Sequence, residues 1–296
     1  MLSYLHKYHA GNFADLHKQI LLTATLSYFT QKAKPFRIID THGGEGYYLL
    51  SDAFIAQNNR ELHSGLAVYF NHLEKLLQSG DAPALLHTHA QLLKKWNPNN
   101  KLVTIPGSPL LFSDYLRADS TLLVCEKHPS VFAQLETNFS PQKPGFKLLN
   151  ESGYQATKAY LPPLEKRGLV FIDPSYEEKT EYEQIADCLI QAIKRFSTGT
   201  YIVWYPVLNN QPKDGIHWLI RRILKLPIHS LWQHEWFLEA EFNTKASGFH
   251  ALQGSGLLCI QLPWQVDNDF ITAMDWLNTY FFPGRKCTYQ WLKQAD

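Results

Sequence analysis

Gly168-Leu-Val-Phe-Ile-Asp173-Pro174-Ser175-Tyr176-Glu177 is the stretch on which the reading of the fold turns. Leu169 to Ile172 is a short unbroken apolar run, the pattern of a strand buried on both faces of a parallel sheet. Asp173 ends the run. Pro174 follows at once, fixing the backbone just beyond the strand and removing a donor. This predicts a rigid loop at the carboxyl end of a central strand, where open α/β sheets bind ligands. The loop carries one carboxylate, backbone carbonyls and one aromatic ring. Acceptors for two N–H groups beside a ring that can stack suit a planar base with an exocyclic amine. The plainer reading has Asp173 cap a helix and Tyr176 pack on the sheet edge.

Outward from this strand, other apolar runs end in the same way. Phe36 to Ile39 reads as the first strand, stopped by Asp40 and entering Thr41-His42-Gly43-Gly44-Glu45-Gly46. Glycines let a backbone approach a ligand closely, and the amides that follow face it. The pattern Asp-x-x-x-Gly-x-Gly resembles the S-adenosylmethionine loop of Rossmann-like methyltransferases. Thr121 to Cys125 is the next strand and ends at Glu126, a carboxylate placed to accept from a ribose diol. Phe146 to Leu149 ends in Asn150-Glu151-Ser152-Gly153. Thr200 to Tyr205 is stopped by Pro206. A helix near Ile216 to Leu224 precedes extended stretches at about 229–242 and 255–262, read as an antiparallel hairpin at the sheet edge with Gly254-Ser255-Gly256 beside it.

Between Asp40 and Glu126 the chain is too long for one crossover. Leu62, Leu66, Phe70, Leu73 and Leu77 form one amphipathic face closed by Gly80, and Pro83 starts a second helix with Leu86, Leu93 and Trp96. The expected organisation is a methyltransferase-type domain of residues 1–51 and 101–296, with residues 52–100 as an inserted helical subdomain. Lys94 and Lys95 there are either an RNA contact or a solvated helix end. Ser108-Pro109 reads as a cap and first helical position. Near the start, Asn12 reads as an N-cap, with Asp15 in the first turn and Phe13, Leu16, Ile20 and Ala24 on one packed face. Lys18 falls off that face, where a solvated lysine is the ordinary expectation.

The 296 residues, 45% hydrophobic and 14% aromatic, indicate a folded globular protein. No apolar run reaches membrane-span length. His6, Lys7 and His9 stand where a signal peptide needs apolar residues, so a cytoplasmic protein is expected. Cys125, Cys188, Cys259 and Cys287 are scattered, which predicts free thiols and no metal site. A net charge of +1 excludes indiscriminate coating of nucleic acid but not a local basic face.

Met1-Leu-Ser-Tyr4, His6, His9-Ala-Gly-Asn12, Ala14-Asp15 and Lys18 resemble the opening of the RlmJ family, adenine-N6 methyltransferases of 23S ribosomal RNA. The resemblance continues through Lys34-Pro-Phe, Asp40-Thr-His, Pro106-Gly-Ser-Pro109, Glu126-x-His-Pro-Ser130, Leu161-Pro-Pro, Arg167-Gly-Leu and Ile172-Asp-Pro. It runs on through Gly199-Thr-Tyr, Trp204-Tyr-Pro206, Ala246-Ser-Gly248 and Pro263-Trp264. It implies an α/β fold: a Rossmann-like, S-adenosylmethionine-dependent sheet with an inserted helical subdomain. By that resemblance Gln19, His42, Ser108, Glu126, Ser152 and Gly153, with the Gly44/Gly46 turn, contact the methyl donor. Asp173 is the catalytic acceptor, with Pro174 and Tyr176 in its loop. Tyr4, His6 and Lys18 close over donor and substrate. The family loop is usually Asp-Pro-Pro-Tyr, and here Ser175 replaces the second Pro. Gln19 stands where His is usual and Ser152 where Asp is usual.

The expected partner is protein-free 23S RNA, with DNA the other nucleic acid these residues admit, no membrane and a monomeric enzyme. A second reading keeps the fold and nucleic-acid binding but not turnover, in a protein linked to use of external DNA as a nutrient.

Overall fold

The computed structural model describes residues 6–51, 61–140, 143–178, 180–208, 214–238 and 252–294, and in it the apolar runs become neighbouring strands. In chain order the strands are β1 (Arg37–Asp40), β2 (Tyr47–Leu49), β3 (Thr104–Pro106), β4 (Thr121–Cys125) and β5 (Phe146–Leu149). β6 (Gly168–Ile172), β7 (Thr200–Leu208), β8 (Leu231–Phe237), β9 (Leu252–Ile260) and β10 (Lys286–Lys293) follow. All but β2 and β3 form one sheet in the order β10-β8-β9-β7-β6-β1-β4-β5. β1 is parallel to both β4 and β6, β5 continues the parallel set beyond β4, and β7 continues it beyond β6. β9 runs antiparallel to β7 and β8.

The strand at the centre is buried on both sides because every residue of it is apolar. Leu169 and Phe171 of β6 join one apolar cluster, Val170 and Ile172 the other. Among the helices, α1 (Phe13–Thr30), α2 (Leu66–Asn71), α3 (Leu73–Gln78), α4 (Ala84–Trp96) and α5 (Ser108–Tyr115) come first. They are followed by α6 (Pro129–Asn138), α7 (Gly153–Tyr160), α8 (Glu181–Arg195), α9 (Asp214–Ile223) and α10 (Val266–Tyr280). α7, α8 and α9 pack along one face of the sheet, and α1, α5 and α10 along the other. This is a Rossmann-like sheet between two helical layers, with an antiparallel extension.

Four local expectations are corrected. The hairpin β8–β9 does not form the sheet edge: β10 pairs outside β8. Gly254-Ser255-Gly256 lies within β9, and residues 239–242 of the expected hairpin lie outside the described residues. Pro206 does not stop β7, because β6 flanks it only as far as Val203. A residue without an N–H is tolerated where one side of a strand has no ladder partner. The single long helix expected from Leu62 to Leu77 is divided at His72.

The largest departure concerns α1. Its residues from Phe13 to Leu26 are buried on every side, polar ones included. α2, α4, α5, α10 and β9 all pack against it. Thr23 and Thr25 survive there by donating their hydroxyls to the carbonyls of Gln19 and Leu21 at 2.7 and 2.9 Å. The segment carrying α2–α4 leaves and rejoins the sheet layer through the antiparallel pair β2–β3.

Asn12 caps α1, its Oδ1 accepting from the Asp15 N–H at 3.0 Å. Replacing it with Ala should lower unfolding free energy by about 1 kcal/mol, the ordinary worth of such a cap. Urea unfolding checks this, and an unchanged midpoint would mean that packing alone fixes the start of α1.

Candidate active site

Strand order reverses at β1. The chain moves from β1 to β4 and β5 on one side, and β6 and β7 lie on the other. A crevice opens at such a switch point beyond the carboxyl ends of the strands. Asp40 and Asp173 stand on its two sides. Thr41 ties the two strand ends together, its N–H and hydroxyl both donating to the Phe171 carbonyl at 3.1 and 2.9 Å.

The glycine turn is tied to β4. Gly43 donates to the Cys125 carbonyl at 2.8 Å, and Gly44 donates to Glu126 Oε2 at 3.1 Å. Gly44 and Gly46 have φ of +57° and +82°, left-handed values that favour glycine. Glu126 Oε1 accepts from the His128 N–H at 2.7 Å, so two backbone donors aim the carboxylate. Ser108 is not the cap expected of it: Gly107 occupies that position, and the Ser108 hydroxyl donates to Asp40 Oδ2 at 2.7 Å. Gly153 opens α7 directly against Thr41, where an added Cβ would lie 2.2 Å from the Thr41 carbonyl oxygen. Ser152 precedes it at the cap position without a side-chain cap bond. Gln19 reaches the same region from α1. Its Nε2 donates to the Pro106 carbonyl at 2.9 Å, and its Oε1 accepts from His89 at 3.2 Å.

Across the crevice, Asp173 Oδ2 accepts from Lys18 Nζ at 2.7 Å. Lys18 also pairs with Asp15 Oδ1 at 2.9 Å, and its side chain is 8% exposed. The expected solvated lysine is therefore a buried one, because α1 is enclosed. Its Nζ lies 4.8 Å from the centroid of the Trp204 ring. Among the described residues Asp173 Oδ1 accepts no hydrogen bond. Asp173 caps no helix either, since α8 begins at Glu181 behind Thr180. Tyr176 has φ of +56°, and its hydroxyl donates to the Trp204 carbonyl at 2.6 Å. Its ring packs on Tyr182 and edge-on to Trp204, with centroids 5.0 and 5.8 Å away. A non-glycine residue in the left-handed region costs energy and is kept where surroundings over-determine it. Pro174 is buried and Ser175 exposed.

The family model described as ribosomal RNA large subunit methyltransferase D, RlmJ, matches residues 33–293. The chain belongs to the RlmJ family. It is 34% identical to ribosomal RNA large subunit methyltransferase J of Escherichia coli K12 over 289 residues, covering 96% of this chain and 95% of that one. Its identity to the Haemophilus influenzae protein of the same name is 35%, with the same coverage. The crystal structure of protein LPL1258 from Legionella pneumophila superposes with a TM-score of 0.82 at 33% identity, covering 97% of this chain and 99% of that one.

In this RlmJ-family chain the rim is electrostatically one-sided. The Asp173 and Glu126 charges both act on buried Asp40, with Lys18 as the cation between Asp15 and Asp173. Burial pushes the Asp40 carboxyl up to about 7, the Asp173 and Glu126 charges add to this, and the Ser108 hydroxyl opposes it. Glu126 is also raised, chiefly by burial. Burial holds His42 down to about 4, so its imidazole is neutral. Burial pulls the Lys18 ammonium down as well, but the Asp15 and Asp173 carboxylates outweigh it and hold it above the ordinary lysine value. Such a rim suits a cationic ligand carrying hydroxyl and amine donors, which is what a sulfonium nucleoside offers.

Other expected residues lie outside the described residues or away from this site. Tyr4 and the His6 side chain lie outside the described residues. Lys94 and Lys95 pair with Glu74 and Asp114 at 2.6 and 2.7 Å, as a solvated helix end does. Trp204, which meets both Lys18 and Tyr176, carried no chemical signal in the sequence beyond its place in the resemblance.

Asp40 supplies a pH test. In the unfolded chain it titrates near 3.8, and in the folded protein near 7. The folded state therefore binds more protons between those values, and stability falls as pH rises through them. Asp40→Asn removes this decline, so its stability relative to wild type should rise from pH 5 to pH 8 in urea unfolding. A difference independent of pH would mean that Asp40 ionises normally.

Proposed function

We propose that this chain transfers the methyl group of S-adenosylmethionine to the N6 amine of an adenine in 23S ribosomal RNA. The observation that carries the reading is the Asp173 carboxylate, fixed through one oxygen by Lys18 and without a hydrogen bond to the other among the described residues, beside a Tyr held by its hydroxyl. Family membership supports methyl transfer to large-subunit ribosomal RNA.

The turn from His42 to Gly46, with Glu126, would hold the donor. Glu126 has lone pairs left for ribose hydroxyls, and Gln19, Ser108, Ser152 and Gly153 line the neighbouring wall. When bound, the donor supplies an electrophilic methyl on a positively charged sulfur. The adenine N6 lone pair is delocalised into its ring and is a poor nucleophile. Asp173 Oδ1 and the Pro174 carbonyl would each accept one N6–H, drawing the amine toward a pyramidal form with its lone pair free. Lys18 holds Asp173 turned through one oxygen, so positioning and electrostatics do the work. The proton released on methylation leaves along the hydrogen bond to Asp173. Tyr176 stacks on the extruded base. By the family resemblance, Tyr4 and His6, ahead of α1 in sequence, would close over both. Lys18 thus acts on Asp173 rather than on the RNA directly.

We also take residues 52–100 as an inserted helical module, a division supported by the β2–β3 pair at its base. The non-catalytic reading has no observation in its favour. Ser175, the loop's departure from the usual sequence, is exposed and leaves Asp173 and Tyr176 with the partners described.

Tritiated methyl incorporation into protein-free RNA, with calorimetry of the demethylated donor, tests these roles. Asp173→Ala should lose about 100-fold or more of the rate while retaining donor affinity. Tyr176→Ala should weaken RNA binding by roughly 1–3 kcal/mol. Glu126→Ala should weaken donor binding by on the order of 1.5–3 kcal/mol per lost bond. Incorporation that survives Asp173→Ala would overturn the assignment of the acceptor, and wild-type donor affinity in Glu126→Ala would remove Glu126 from the donor site.

A further inference from the structure

A buried polar chain ends at the reaction centre. The Trp204 indole N–H donates to Ser255 Oγ at 2.9 Å. Ser255 Oγ lies 2.9 Å from His17 Nδ1, and His17 Nε2 lies 2.9 Å from His234 Nδ1. Four side chains from β7, β9, α1 and β8 are thus linked in one line. Ser255, His17 and His234 have no exposed surface. Burial holds both imidazoles neutral, with His17 well below its ordinary value and His234 lowered to about 3.

Of the two proton arrangements that give every bond a donor, one runs outward from the indole. The indole N–H donates to Ser255, the Ser255 hydroxyl to His17 Nδ1, and His17 Nε2–H to His234 Nδ1. His234 Nε2 is then an N–H, buried without a partner among the described residues and surrounded by Trp232, Phe270 and Tyr289 rings. Apolar side chains would fill this space without leaving a polar atom unpaired. What the chain adds is direction. It fixes the indole plane, and that plane faces two groups of the site. One is the Lys18 ammonium over the ring, and the other is the Tyr176 ring edge-on to it.

We propose that Trp204 is a positioning residue for methyl transfer: its indole holds Lys18 on Asp173 and steadies Tyr176, and the Ser255–His17–His234 chain holds the indole. The proposal rests on the reading of Asp173 and Tyr176 as the target-amine site. Loss of the indole anchor should act on the rate of the chemical step and leave the donor site, on the other side of Asp40, untouched.

The test uses the full chain with Ser255→Ala, Trp204→Phe and Trp204→Leu. Single-turnover methyl transfer is measured at saturating RNA and donor, beside calorimetry of the demethylated donor. A misplacement of about 1 Å costs up to roughly 100-fold. Ser255→Ala and Trp204→Phe keep a ring but lose its anchor, and should be slowed by about tenfold; Trp204→Leu should approach the full 100-fold. Donor affinity should stay within about twofold in all three, a separation that general loosening of the fold would not give. If Ser255→Ala fails to fold, Trp204→Phe carries the same prediction. A second readout is independent of turnover. The Lys18 ε-methylene NMR signal, shifted upfield by the indole face, should move in Ser255→Ala and lose its shift in Trp204→Leu. Folded variants with wild-type rates, while Asp173→Ala is inactive, overturn the positioning role and leave the function standing. Absent transfer in wild type overturns the function, and the Lys18 signal then decides: a signal unmoved by Ser255→Ala overturns the positioning role too.

Discussion

The buried ion pair between Lys18 and Asp173 is the contact on which the rest of the structure depends. A buried ammonium must be paired, and removing one partner of such a pair costs about 3–5 kcal/mol. Lys18 therefore commits α1 to one depth and one rotation over the sheet, with Asp15 on the same helix sharing the charge at 2.9 Å. That commitment is possible because α2, α4, α5, α10 and β9 all pack around α1. The same geometry ties one oxygen of Asp173 to Lys18 and, among the described residues, leaves the other without a hydrogen bond. Stability and chemistry are here two consequences of one contact.

The sheet supplies the other half of the constraint. Reversal of strand order at β1 opens a crevice between Asp40 and Asp173, and the glycine turn lets the backbone fold tightly back to Glu126. Burial raises the Asp40 carboxyl, and the nearby Asp173 and Glu126 charges add to it. A fold gains nothing from such crowding. A positively charged ligand would relieve it, and the RlmJ family relationship gives the arrangement its chemistry.

The parts legible in the sequence were those whose signal is local. Leu169 to Ile172 is apolar at every position because both faces of β6 are covered, so the run and its Asp173 stop could be read directly. The same holds for Asp40 with its glycines and for Glu126. The parts not legible depend on residues far away in the chain. Lys18 looks solvated until the fold brings Asp173 and Trp204, far along the chain, against it. Pro206 looks like a strand end until β6 is seen to stop at Ile172, opposite Val203. Gly256 looks like a turn residue. It lies within β9 because the Tyr205 ring crosses it, where an added Cβ would come 2.1 Å from a ring atom. His17, Ser255 and His234 carry no shared pattern in sequence, since only the antiparallel strands bring them into line.

The most direct test of the account is nucleoside mass spectrometry of protein-free 23S RNA after reaction with a donor carrying a deuterated methyl group. The expected result is the heavy methyl on adenosine N6, absent when Asp173 is replaced by Ala. Heavy methyl on any other atom, or on adenosine N6 with the Asp173→Ala protein, would contradict the claim that the Lys18-held carboxylate prepares an adenine amine for methylation.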